Sequence, residues 1–429
     1  MIRIRTAIRM YPAVWLAPML IVLCIWYARA MVFRSDPDPY LPSLSAQPMS
    51  TQGLVAPILA ALAAWESARL RRGGIWQMSI VRRRIAVVAW PLVIIWAVGF
   101  VAVASGVVAV LVAKGFLIPD PRPLAVAGLV LGAHTLAGFA FGLLLPIVVA
   151  APVAMAVSLL WQVMPRAIEP LWTHLLTSQQ LETCCAVDTD IGVAALAAPA
   201  LVALGVAVAA AIVIAGKRTP ATAALTVAAL AAGLVSASVI ASSEPRGDVG
   251  VARNEAVLQC SGAVPEVCLW PEHASRLSEV SGIVRAAATA WTGIGVQVPT
   301  RFDEAFAGAV RPGTLHFRLW LGASRDHVID SISYEMVPGY IDCPGAYMAA
   351  GAFDPLRAWY AATAGMSAEA LGEEFGSLRA YSEDFDIEVL ALVDDIRSQS
   401  PDRQREWVER NTWALGACDR SPDLRPAHP

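Results

Sequence analysis

Residues 123–165 read PLAVAGLVLGAHTLAGFAFGLLLPIVVAAPVAMAVSLLWQVMP, 43 consecutive residues without an Asp, Glu, Lys or Arg. The only titratable side chain among them is His134. One helix crossing a bilayer needs about 20 apolar residues, so the run is long enough to cross twice. Pro146 and Pro152 sit near its middle, where a reversal is cheapest. The stretch therefore reads as a helical hairpin through a membrane, turning at Pro146, with spans near 124–145 and 147–164.

The rest of the chain divides around it. Of 429 residues, 57% are hydrophobic and 16% charged, where soluble domains carry about 25% charge. Residues 1–242 hold 8 acidic and 16 basic residues, and residues 243–429 hold 27 acidic and 16 basic, so the balance moves from +8 to −11. A hydrophobic basic half followed by an acidic one predicts a membrane domain over 1–245 and a water-soluble domain over 246–429. The second half is long enough to bury its own core. Only Lys114 and Lys217 are lysines; the other basic residues are arginines, a bias of GC-rich genomes.

Five further apolar runs read as spans near 13–33, 51–70, 86–113, 191–216 and 221–242. The first follows Arg3, Arg5 and Arg9 and is too long for a signal-peptide core, so it is kept as a span with its basic end in the cytoplasm. Residues 34–49, rich in Pro, Asp and Ser, read as a short outer loop, and residues 165–190 as an outer segment. Arg69, Arg71, Arg72, Arg82, Arg83 and Arg84 make 69–84 the densest basic segment, a cytoplasmic loop by the positive-inside rule. The same six arginines are a candidate contact for an intracellular partner. Glu66, beside them, reads as an i,i+3 partner of Arg69. Seven spans with an inner N-terminus predict a multi-pass protein of the plasma membrane with 246–429 outside the cytoplasm. That parity depends on 123–165 making two passes, with no basic residue of its own to hold the inner turn.

In the soluble half, AVLQC and the segment ending at Pro271 read as strands, as does TLHFRLWLG at 314–322. Leu277, Val280, Ile283, Val284, Ala287 and Trp291 fall on one helical face. Helices are expected over 324–336, 355–364, 387–397 and 401–417. The predicted fold class is thus a polytopic α-helical membrane protein of about seven spans, followed by a small, mostly helical α+β domain.

Outside the cytoplasm cysteines meet an oxidising compartment. Cys260 and Cys268 flank seven residues including Gly262 and Pro265, which suits a hairpin closed by a disulfide, and Cys343 with Cys418 would tie the last helix back. Thiolate metal ligation is the alternative, but no CxxC spacing supports it. The adjacent Cys184 and Cys185 are expected to bond elsewhere or stay free.

Glu272 and His273, with His316, His327 and Asp330, contain the elements of a metal site but lack the HExxH spacing that puts two imidazoles on one helical face. WPEH is expected to start a helix, with Glu272 as a first-turn acid favouring the helix dipole. No GxSxG elbow, no SxxK and no GxxxxGK[ST] occurs, so no catalytic residue, nucleotide site or cofactor is expected. His134 is expected to hydrogen-bond to a neighbouring helix. With Glu66 and Arg29 near interfaces, the membrane centre holds almost no ionisable group, which argues against a proton- or ion-driven pump.

The order of a basic N-terminus and one span, AAWESARLRR at 63–72, an uncharged hairpin and CLWPEH at 268–273 resembles a group of actinobacterial membrane proteins described as permease-like components of export-type ABC transporters. The resemblance implies a membrane subunit working with a separately encoded ATPase, and such permeases usually have six spans and both ends in the cytoplasm. The expected partners are the bilayer, that ATPase and a second copy of the chain, and no nucleic acid. The alternatives are a sensor or interaction protein whose outer domain binds a ligand or envelope partner, and a membrane-anchored outer enzyme.

Overall fold

The computed structural model describes residues 11–35, 38–74, 84–215, 219–307, 311–320, 322–338, 351–382, 385–416, 420 and 422–425. The chain forms two compact units, Met1–Val251 and Ala252–Pro429.

The first unit is a helix bundle. Its helices are α1 (Pro12–Ser35), α2 (Leu41–Ala46), α3 (Gln52–Arg72), α4 (Arg84–Ala113), α5 (Pro121–Leu144), α6 (Ile147–Val163), α7 (Val193–Ala215) and α8 (Pro220–Ala241). Among the described residues, seven helical segments are long and apolar enough to cross a membrane, α2 and α3 together forming the second over Leu41–Arg72. A helix satisfies its own backbone, which is what an apolar surround demands. Start signals are local: Asp120 caps α5 by accepting from the Arg122 amide at 2.9 Å, with Pro121 at the first helical position. Thr219 and Pro220 do the same for α8.

Small residues let the helices touch backbone to backbone. A Cβ on Gly138 would lie 2.1 Å from the carbonyl oxygen of Ala60, and one on Gly142 2.1 Å from that of Ala64, so α5 lies directly on α3. Gly205 of α7 and Gly233 of α8 meet likewise, a Cβ on either falling 2.8 Å from the other's Cα.

Two segments expected as loops are instead packed structure. Within 34–49, α2 and a 3₁₀ turn at Gln47–Thr51 bury Leu44 and Met49 completely. Their polar groups are satisfied locally, Thr51 Oγ1 donating to Pro48 O at 2.7 Å and Ser50 Oγ to Gln47 O at 3.2 Å. Residues 165–190 hold two 3₁₀ helices, Leu171–Leu176 and Ser178–Thr183, whose Leu175, Leu176 and Leu181 join the bundle core. β1 (Thr189–Ile191) then pairs with β2 (Gly250–Ala252). Composition misled here because hydroxyl and amide side chains that bond to nearby backbone can be buried as readily as apolar ones.

The second unit is α+β. A four-stranded sheet runs in the order β3 (Gln259–Cys260), β4 (Glu266–Leu269), β5 (Arg301–Asp303), β6 (Thr314–His316), antiparallel at its first pair and parallel thereafter. Val267 faces Phe302, and Phe302 faces Leu315, across the ladder. α9 (Leu277–Gly293) carries the predicted face, burying Val280, Val284, Ala287 and Trp291. α10 (Arg325–Met336), α11 (Phe353–Thr363), α12 (Ala368–Phe375), the hairpin β7 (Arg379–Ser382) and β8 (Phe385–Glu388), α13 (Val389–Arg397) and α14 (Pro401–Leu415) follow. The core is built on Trp291, Trp359, Trp407, Phe302, Phe317 and Phe375. Three expectations shift. AVLQC is a strand only at its last two residues, the TLHFRLWLG strand ends at His316, and 387–388 belong to β8 rather than to the helix.

Two carboxyls here set a pH dependence. Burial pushes Glu335 up from the ordinary glutamate range, against the opposing pull of Arg318 and His316, and burial likewise raises Asp354. A group whose folded pKa is raised contributes stability that is complete below its unfolded pKa and is lost as pH rises through the folded value. Glu335→Gln should therefore raise the melting temperature at neutral pH relative to wild type and leave it nearly unchanged in acid. A melting series from about pH 4 to 7 brackets the carboxyl range and reads this directly.

Candidate functional site

The uncharged run folds as two helices, α5 and α6, separated by Leu145 and Pro146. His134 Nδ1 lies 2.7 Å from Ser158 Oγ, and His134 Nε2 lies 3.1 Å from Gln162 Nε2. His134 precedes the break by about as many residues as Ser158 follows it, so these contacts require α6 to run back along α5. The helical hairpin is therefore present, and each of its helices is long and apolar enough to span a membrane.

The hairpin is one wall of a cavity of about 250 Å³. Ala60 of α3, Phe141 of α5, Ala154 of α6, Val202 of α7 and Leu234 of α8 supply apolar lining. Its polar groups are His134, Ser158 and Gln162 together with Thr177 and Ser178 from the 3₁₀ segment. No Asp, Glu, Lys or Arg is among its lining residues. Ser178 is held by donating to Gln52 Oε1 at 2.8 Å, with Gln52 fully buried. The segment is further pinned by Arg166, which donates to Glu182 at 2.6 Å and to Gln179 at 3.3 Å.

An amide NH₂ only donates, so Gln162 Nε2 gives a hydrogen bond to His134 Nε2. The neutral ring then carries its proton on Nδ1 and donates it to Ser158 Oγ. The histidine that the sequence offers as a helix-to-helix contact is thus one, and its partners are the two polar residues of the facing helix.

The arginine cluster is divided in its use. Arg69 pairs with Glu66 at 2.6 Å, as the spacing predicts, and lies over the Trp65 ring. Arg71 turns inward: its Nη1 donates to Leu143 O at 2.8 Å and its Nη2 to Leu145 O. Those carbonyls end α5 at the hairpin turn, where a helix leaves acceptors unmet. The turn that lacks a basic residue of its own is thus capped by one from α3. Arg71 is therefore committed to the hairpin turn and only partly exposed, whereas Arg72 is exposed. Arg82 and Arg83 lie outside the described residues, as does the side chain of Arg84. Hydrogen bonds from a charged donor contribute about 1.5–3 kcal/mol, so Arg71→Ala should destabilise the bundle by about that much, and Arg71→Lys, which cannot span both carbonyls, by part of it. Thermal denaturation in detergent is the readout.

In the second unit Cys260 and Cys268 are disulfide-bonded across the first strand pair. Glu266 lies close to both sulfurs, but thiols joined to each other leave no thiolate for a metal. Cys343 and Cys418 lie outside the described residues. The sulfurs of the neighbouring Cys184 and Cys185 lie against each other. Closing the loop from 260 to 268 is worth about 2–3 kcal/mol by chain entropy. Reductant should lower the melting temperature of the full chain accordingly, and Cys260→Ser with Cys268→Ser should abolish that sensitivity to the extent that this bond carries it.

The histidines and acids considered for a metal are dispersed into structural roles. WPEH does not begin a helix: it is a turn followed by a 3₁₀ segment, α9 starts at Leu277, and Glu279 is the acid of its first turn. Glu272 pairs with Arg253 at 2.9 Å instead. His273 is fully buried and its Nδ1 lies 2.7 Å from Glu304 Oε1. His316 Nδ1 lies 2.6 Å from Asp303 Oδ1. His327 completes the capping box of α10 with Ser324, and Asp330 takes two hydrogen bonds from Arg357 at 3.0 and 2.7 Å. Asp303 and Glu304, adjacent at the end of β5 and both buried, are the residues sequence reasoning passed over. The signal was the RFDE run ending a strand, two acids where a core strand should be apolar.

Comparison with known proteins gives one match. Residues 267–418 are similar to a family model described as a domain of unknown function (DUF7224). The match lies within the second unit and encloses WPEH, Asp303, Glu304 and His316. No curated protein and no solved structure matches the chain.

Proposed function

We propose that the chain is a permease-like membrane subunit of an ABC-type export system, working with a separately encoded ATPase. The observation that supports this best is the cavity among α3, α5, α6, α7 and α8, apolar with a polar end and free of charged lining. Ligand sites between helices of a bundle have this character. In this reading the N-terminus and the 69–84 loop are cytoplasmic and the unit from Ala252 lies outside the plasma membrane, in keeping with the arginine distribution. Arg71 gives the loop a route to the cavity, because the turn it caps belongs to the hairpin that lines it. Arg72, exposed beside it, is the ATPase contact.

Purification of the full chain in mild detergent should bring an ATPase subunit with it, and Arg72→Glu should weaken that association at least tenfold while the chain stays monodisperse. A folded chain that retains no ATPase would count against the reading. The second unit, with its own core, would then stand as the binding module of a sensor.

A further inference from the structure

The cavity's chemistry specifies what it holds. Gln162 is 1% exposed, and its Oε1 is buried with no hydrogen-bond partner among the described residues. An unmet buried acceptor costs about 1–3 kcal/mol, and turning the amide over, with His134 Nε2–H donating to Oε1 and Ser158 donating to Nδ1, only exchanges it for an unmet donor. Beside it, Ser158 Oγ receives the His134 proton and keeps its own hydrogen to give. Gln162 and Ser158 between them thus offer one acceptor and one donor, with no charge.

A hydroxyl meets both, donating to Gln162 Oε1 and accepting from Ser158. A carboxylate or phosphate only accepts, and an ammonium only donates; each would also carry an uncompensated charge into an apolar site. Pro199, Val202, Val206 and Leu230 continue the wall with nothing polar to address. The volume of about 250 Å³ is below the roughly 300–1,000 Å³ of drug-sized pockets, room for one short chain.

We infer that the bundle cavity binds an uncharged aliphatic alcohol, a short alkyl chain ending in a hydroxyl that is held by Gln162 and Ser158 beside His134. The inference gives the permease reading its substrate class and rests on it for its biological sense, but the binding itself requires no ATPase.

The test uses the purified full chain in lipid nanodiscs and a photoactivatable decanol, with the matching photoactivatable decanoic acid as comparison and mass spectrometry to locate the label. Decanol should label cavity residues such as Phe141 and Val202 saturably, and decanoate at least tenfold less. Gln162→Leu, close to Gln in size, should weaken decanol labelling about tenfold, and Ala203→Trp, which fills the cavity, should abolish it. Equal labelling by alcohol and acid, undiminished labelling in Gln162→Leu, or label spread without saturation over outward residues of α8 such as Val235 and Val239 would overturn the inference. Should Ala203→Trp fail to fold, Gln162→Leu decides alone. Saturable binding with no associated ATPase would leave the inference standing and sink the permease reading. A bound ATPase with no cavity labelling would do the reverse.

Discussion

Gly138→Ala or Gly142→Ala is expected to destabilise the bundle by about 3 kcal/mol, and the pair together to prevent recovery of folded protein. One added carbon would fall 2.1 Å from a backbone carbonyl of α3 at either site. A backbone oxygen cannot rotate away, so the helices must separate, which places the cost at the upper end of the ~1–3 kcal/mol typical of overpacking. Separation would also open the cavity wall, because Gly138 and Ala60 both line it. Gly282→Ala is the control. It sits on an open face of α9 with nothing within 4 Å, so it should stabilise slightly, by about 0.5–1 kcal/mol from helix propensity. Thermal denaturation and size exclusion in detergent separate the two outcomes, and equal behaviour of Gly142→Ala and Gly282→Ala would refute the close approach of α3 and α5.

Glu304→Leu should cost the second unit about 3–5 kcal/mol, the range for removing one partner of a buried ionisable pair. Glu304 Oε2 accepts the Trp270 amide at 2.8 Å, its Oε1 meets His273 Nδ1 at 2.7 Å, and its carbonyl accepts Trp270 Nε1 at 3.0 Å. The leucine keeps only the last of these. Glu304→Gln keeps the shape and part of the bonding and should cost less. If the pair acts as a unit, Glu304→Leu combined with His273→Leu should be less damaging than the sum of the two, because the second change removes a group the first has stranded. Strict additivity in denaturant unfolding would show the two residues to be independent.

What the sequence disclosed follows from which terms are local. The hairpin, its break at Pro146 and the α9 face were legible because length, prolines and 3.6-residue spacing act within a few turns. The buried 34–49 and 165–190 segments were not, since composition does not show that Gln47 meets Ser43 and Thr173 meets nearby carbonyls, nor that Ser178 meets Gln52 126 positions away. Arg71 is the clearest case. Its charge marks a topology, but its contact with the hairpin turn depends on how far α3 and α5 run before they meet. The cavity's His134 was legible as a helix contact; Ser158 and Gln162 became its partners only once α6 folded back. Asp303 and Glu304 find their partners in His316 and His273, which lie 13 and 31 positions away.

The proposal that the bundle crosses a membrane seven times is tested most directly by site-specific thiol labelling of intact cells. Two introduced cysteines suffice when mass spectrometry locates the label apart from the native cysteines, Glu409→Cys on the exposed face of α14 and Arg72→Cys at the end of α3. A membrane-impermeant maleimide should modify residue 409 from outside intact cells and residue 72 only after permeabilisation. Modification of 409 only after permeabilisation, with 72 unchanged, would mean an even number of crossings between the two and would contradict the account.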